Sequence, residues 1–173
     1  MSGDDLAALY EGLFWDWVEE AWAQVPDGHA LRGGILAGRA ETAGPTALDP
    51  LFAALRAVLD ARTPEGVVAF ARELARARWR LDSQALAQHI GLGDDGFSDA
   101  RATIVYLGAR HYRRVQADLC SAVPWLAIER ASYFFDDYCE ARFGGALGSF
   151  GFDPTTASNP AGWPNRHPPA GRR

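Results

Sequence analysis

The chain has 173 residues, of which 48% are hydrophobic and 23% charged, which suits one globular domain with its own core and excludes a disordered chain. Its net charge of −5 argues against a general nucleic-acid binder, and all seventeen basic residues are arginine, which excludes Schiff-base lysines and the phosphate lysine of a P-loop. The start, Met1-Ser2-Gly3-Asp4-Asp5, lacks a basic region followed by an apolar block, and no apolar run approaches the roughly 20 residues of a membrane helix. A cytoplasmic protein without a membrane partner is expected. Cys120 and Cys139 are too few and too far apart for a disulfide framework or zinc knuckle, and read as reduced structural thiols.

Leu6, Leu9, Leu13, Trp17 and Ala21, with Tyr10, Phe14 and Val18, predict a first helix running to about Gln24. It carries Asp4, Asp5, Glu11, Asp16, Glu19 and Glu20, and so calls for an arginine-bearing neighbour. Trp15 and Trp22 fall off its main stripe, where they either widen the buried face or serve a partner. From Pro26 to Pro45 repeated glycines predict a long connection holding at most one short helix, a secondary candidate for function.

Asp49-Pro50 and Thr63-Pro64 each pair a capping residue with a first-turn proline and open two further helices. The first buries Leu51, Phe52, Leu55, Val58 and Leu59; the second buries Val67, Phe70, Leu74 and Ala77, with Arg72, Glu73, Arg76, Arg78 and Arg80 read as a solvated face. A short segment from Asp82 to Ile90 stops at Gly91-Leu92-Gly93, and Asp94-Asp95-Gly96-Phe97 reads as a turn. Ser98 is expected to cap a fifth helix through about Asp118, whose Arg101, Arg110, Arg113 and Arg114 make it the natural partner of the acidic first helix. Pro124 is expected to start the last helix, whose Tyr133, Phe134, Phe135, Tyr138 and Phe143 cover more than one side. Beyond Gly144-Gly145 a Gly/Pro-rich tail is expected, with Phe150, Phe152 and Trp163 apolar enough to strap it onto the bundle.

Chemistry-bearing candidates are few. Asp94 and Asp95 before a helix can bind a cation or act as acids, or simply form the turn and complement the helix dipole. His89, with Asp82 on the same segment, and Arg101 complete a candidate Asp/His/Arg cluster over residues 89–101. Asp136, Asp137 and Glu140 lack the Glu-x-x-His of helical carboxylate metal sites, so no metal and no cofactor is expected. Neither a nucleophile elbow nor a glycine-rich phosphate cradle is present.

Phe14-Trp15, Trp79, Asp94-Asp95-Gly96-Phe97, Arg101, Ile104-Val105, Gly108 and Tyr112 resemble, over about residues 10–130, a bacterial family known only as domain of unknown function 4240. The resemblance implies a compact helical domain without an established activity. The chain departs from the family pattern at Arg80, Asp82, Thr103 and Leu107.

The sequence therefore predicts an all-α bundle of five to six helices over residues 1–144 and a tail over 145–173. The leading functional expectation is a non-enzymatic protein-binding module, an adaptor, accessory subunit or toxin-neutralising partner, anchored by Trp15, Trp22, Tyr133, Tyr138 and Trp163. The alternative is a small enzyme or ligand-binding domain built on His89, Asp94, Asp95 and Arg101.

Overall fold

The computed structural model describes residues 3–39, 41–148 and 150–166. Its helices are α1 (Gly3–Gln24), α2 (Gly28–Leu36), α3 (Asp49–Asp60), α4 (Pro64–Arg80), α5 (Gln84–Ile90), α6 (Asp94–Tyr106), α7 (Ala109–Ala117) and α8 (Arg130–Phe143), with a 3-10 turn at Leu119–Ser121. The all-α class is as expected, with no strand among the described residues, but there are eight helices rather than five or six.

Local chemistry explains most of the helix boundaries. Thr63 Oγ1 accepts a hydrogen bond from Gly66 N at 3.2 Å and Ser83 Oγ one from Leu86 N at 3.3 Å, so α4 and α5 begin at capped ends. Gly91, at φ 77, ends α5 in the left-handed conformation that glycine adopts freely. Asp94 and Asp95 form the first turn of α6, which starts from an extended Gly93, so the predicted turn and the Ser98 cap are both replaced by helix.

The extra helices come from breaks that apolar spacing does not reveal. The predicted fifth helix is cut at Leu107-Gly108, where Gly108 has φ 96 and ψ 169. A Cβ there would lie 2.3 Å from Glu19 Oε1, so only glycine lets that carboxylate reach Ala109 N (3.3 Å) and cap α7 from α1. The last helix begins at Arg130, not Pro124, because Trp125 takes φ 62 and its ring lies over Gly91.

α6 is the central element, with every residue from Ala100 to Gly108 buried. It packs against α4, α7 and α8, while α1 packs on α3 and α4. Phe52 stacks on Phe134 at 4.4 Å and stands edge-on to Tyr106, joining α3, α8 and α6. Each such fully buried ring contributes about 1.5–3 kcal/mol. Arg142 of α8 donates to Leu59 O at 2.6 Å and Arg62 O at 2.8 Å, satisfying carbonyls at the end of α3.

The acids of α1 find arginines, though not those expected. Glu11 pairs with Arg76 and Arg80 of α4, Glu19 with Arg32 of α2, and Glu20 with Arg62 after α3. Arg110, Arg113 and Arg114 stay exposed on α7, and Arg101 is buried elsewhere. The α4 face read as solvated is therefore engaged in part, and Glu73 on it is only 4% exposed.

Candidate functional site

Ala71, Leu74, Ala75 and Arg78 recur at helical spacing on α4 and form one wall of a cavity of about 630 Å³. Its other walls come from α6, α8 and the segment 146–156. That volume falls within the range of about 300–1,000 Å³ usual for sites of drug-sized ligands. Leu74, Phe135, Leu147, Phe150 and Phe152 make much of the lining apolar.

Polar groups are set into this apolar shell. Tyr106 is fully buried, and its hydroxyl has no hydrogen-bond partner. Burial raises the pKa of that phenol, and the hydroxyl also feels Arg78, Asp136 and Cys139, all of which line the cavity. Arg78 donates from Nη2 to Ser98 Oγ at 3.3 Å, its buried Nε has no partner, and among the described residues no carboxylate lies within ion-pair distance of it. Asp136, exposed on one side, lines the same space and makes no ion pair among the described residues; its partial burial raises its carboxyl pKa, opposed by Arg78 and reinforced by Asp137. Asp99 is held by Ser132 Oγ, and Asp94 and Asp95 stand exposed at the rim. The Cys139 thiol, pushed up to about 11 by burial, is a wall atom rather than a nucleophile.

A second polar cluster holds one of the cavity walls in place. The wholly buried Asp82 accepts from Ala157 N (3.1 Å), Ser158 N (2.8 Å), Ser158 Oγ (3.2 Å), Asn159 N (3.0 Å) and Trp163 Nε1 (2.8 Å). Arg101, also wholly buried, lies 3.7 Å from Asp82, donates to Pro154 O at 2.7 Å and sits over the Phe97 ring. Burial lowers its pKa to about 10 against the attraction of Asp82. Gly162 makes the close approach possible, because a Cβ there would lie 2.0 Å from Asp82 O. The segment 150–166 is thus strapped onto α4, α5 and α6, with Phe152 against Trp79 at 5.7 Å.

The residues singled out from sequence divide accordingly. Asp94 and Asp95 reach the cavity; Arg101 belongs to the strap anchor; His89 Nε2 is 3.0 Å from Ala122 O and does not line the cavity, so the four do not converge. Of the expected partner anchors, Trp15, Trp22, Tyr138 and Trp163 are buried and only Tyr133 is exposed, at 56%. Trp15 packs on Tyr112, Trp22 Nε1 donates to Tyr106 O at 2.8 Å, and Trp163 serves Asp82, so internal packing absorbs them. Among the described residues no group of three or more His, Cys, Asp or Glu is placed to hold a metal ion, and no helix is long and apolar enough to cross a membrane.

Sequence reasoning missed Arg78 and Tyr106, and set Asp82 beside His89 rather than against Arg101 and the strap. A signal existed for Arg78, which follows Ala71, Leu74 and Ala75 on one helical face. None existed for Tyr106, which sits in an unbroken apolar run.

The fold and cavity define an all-α domain with a partly apolar pocket carrying unpaired polar groups. The chain belongs to the family described as protein of unknown function (DUF4240), whose model matches residues 35–141. No curated protein and no solved structure matches it. The matched region contains Arg78, Tyr106 and Asp136, whereas α1 and the strap lie outside it.

Proposed function

We propose that the chain is a small-molecule-binding domain whose ligand occupies the cavity between α4, α6, α8 and the segment 146–156. The observation that carries this reading is the cavity itself, about 630 Å³ and largely apolar, with the Arg78 guanidinium at its wall and no carboxylate among the described residues within ion-pair distance of it. Tyr106, a lining residue whose buried hydroxyl has no partner among the described residues, supports it. This is the ligand-binding form of the alternative drawn from sequence, with Asp94 and Asp95 retained at the rim and a cytoplasmic location proposed with it.

A thermal-shift screen of a diverse small-molecule library tests the reading, run on the wild type and on Ala75→Trp, which fills the cavity from α4. Compounds that stabilise the wild type and not the variant are expected. Compounds that stabilise both equally, or none at all, would refute it.

A protein-binding role is the second reading, favoured by Trp125 and Tyr133, which are 69% and 56% exposed. Loss of a co-purifying partner on Trp125→Ala, which does not line the cavity, with cavity binding intact, would favour it over the first.

A further inference from the structure

An arginine side chain keeps its charge at any ordinary pH and presents a planar fork suited to a carboxylate or phosphate. Among the described residues Arg78 meets no such group, and its Nη2 donates only to the neutral Ser98 Oγ. Arg78 forms the anion-binding half of a site.

Asp136 supplies the opposite sign. It feels the charge of Arg78 but lies beyond the 4.0 Å of an ion pair, so the two charges do not cancel by direct contact. An anion alone would meet Asp94, Asp95, Asp99 and Asp136 around the same space. A cation alone would leave Arg78 without an anionic partner and would be repelled by it.

Resting on the ligand-binding reading above, we propose that the cavity takes a zwitterion with an apolar body, its carboxylate held by Arg78 and its ammonium by Asp136. Phe135, Phe150 and Phe152 receive the apolar part, and the rim acids Asp94 and Asp95 favour entry ammonium-first. A short apolar peptide with free termini is the simplest compound of this class.

Calorimetric titration of the whole chain with three probes tests it: leucyl-phenylalanine, its N-acetyl form and its C-terminal amide. The free dipeptide is expected to bind at least about tenfold more tightly than either capped form. Arg78→Met should abolish the preference over the amide while keeping that over the N-acetyl form, and Asp136→Asn should do the reverse. Capped forms that bind as well as the dipeptide would overturn the proposal, and the wild-type comparison decides this even if a variant fails to fold. If none of the three binds while the library screen yields a ligand blocked by Ala75→Trp, the zwitterion is wrong and the ligand site stands. If the screen is also empty, both fall.

Discussion

Replacing Asp82 with alanine removes the acceptor for five hydrogen bonds and the counter-charge of a guanidinium with no exposed surface. Hydrogen bonds to a charged group are each worth about 1.5–3 kcal/mol, but they cannot simply be summed, because the strap can detach and let its donors meet water. The bound on the loss is set by Arg101, which loses its carboxylate; breaking a buried pair in this way costs about 3–5 kcal/mol. Detachment also releases Pro154 O and solvates the guanidinium, so the loss should appear at the low end, about 3 kcal/mol, with the strap freed before the bundle melts. Urea unfolding followed by circular dichroism gives the first number. Amide hydrogen exchange at Ala157, Ser158 and Asn159 gives the second, and all three should lose protection in Asp82→Ala while amides of α3 and α4 keep theirs. A loss below about 1 kcal/mol, or unchanged exchange at those amides, would refute the role assigned to this carboxylate.

His111 is buried with its pKa lowered to about 4, chiefly by burial and then by Arg114. Between pH 6.5 and 4 the unfolded chain therefore binds the extra proton, and stability should fall as pH drops through that window, by on the order of 3 kcal/mol, an effect that His111→Leu flattens in pH-dependent unfolding. Gly108→Ala places a methyl at a backbone conformation that glycine alone adopts readily and against Glu19, and should cost about 2–3 kcal/mol in chemical denaturation. Tyr106→Phe removes an unpartnered buried hydroxyl and should raise the stability of the free protein by about 1 kcal/mol, measured by chemical denaturation.

The elements read correctly from sequence were those whose signals are local. Thr63-Pro64 and the glycine at position 91 work through bonds between residues three or four apart, so spacing and residue type suffice. Asp94 and Asp95 misled because the same acids suit a turn and the positive end of a helix, and Gly93 in extended backbone decided for the helix. Gly108 misled because apolar spacing continues through it, and the reason for the break lies on α1, at Glu19. Trp15 and Trp22 lay off the predicted stripe because the buried face is turned from it: Phe14, Trp15, Val18, Ala21 and Trp22 are buried, while Leu9, Tyr10 and Leu13 of the predicted stripe are exposed.

The candidate site was scarcely legible. Asp94 and Asp95 were named, but Arg78 was read as part of a solvated face and Tyr106 was not singled out; Asp136 is exposed, as a surface acid would be, and lines the cavity as well. Their meeting depends on α4, α6 and α8, and the wall facing them on residues beyond 145, drawn in by a carboxylate at position 82. Composition, helical period and capping residues were enough to settle an all-α chain, since each acts within a turn or two of backbone. Which arginine is neutralised and which is left facing a cavity depends on contacts between residues far apart in the chain. Arg101 found Asp82 and the strap while Arg78 found only Ser98, and that difference arises only once the helices pack.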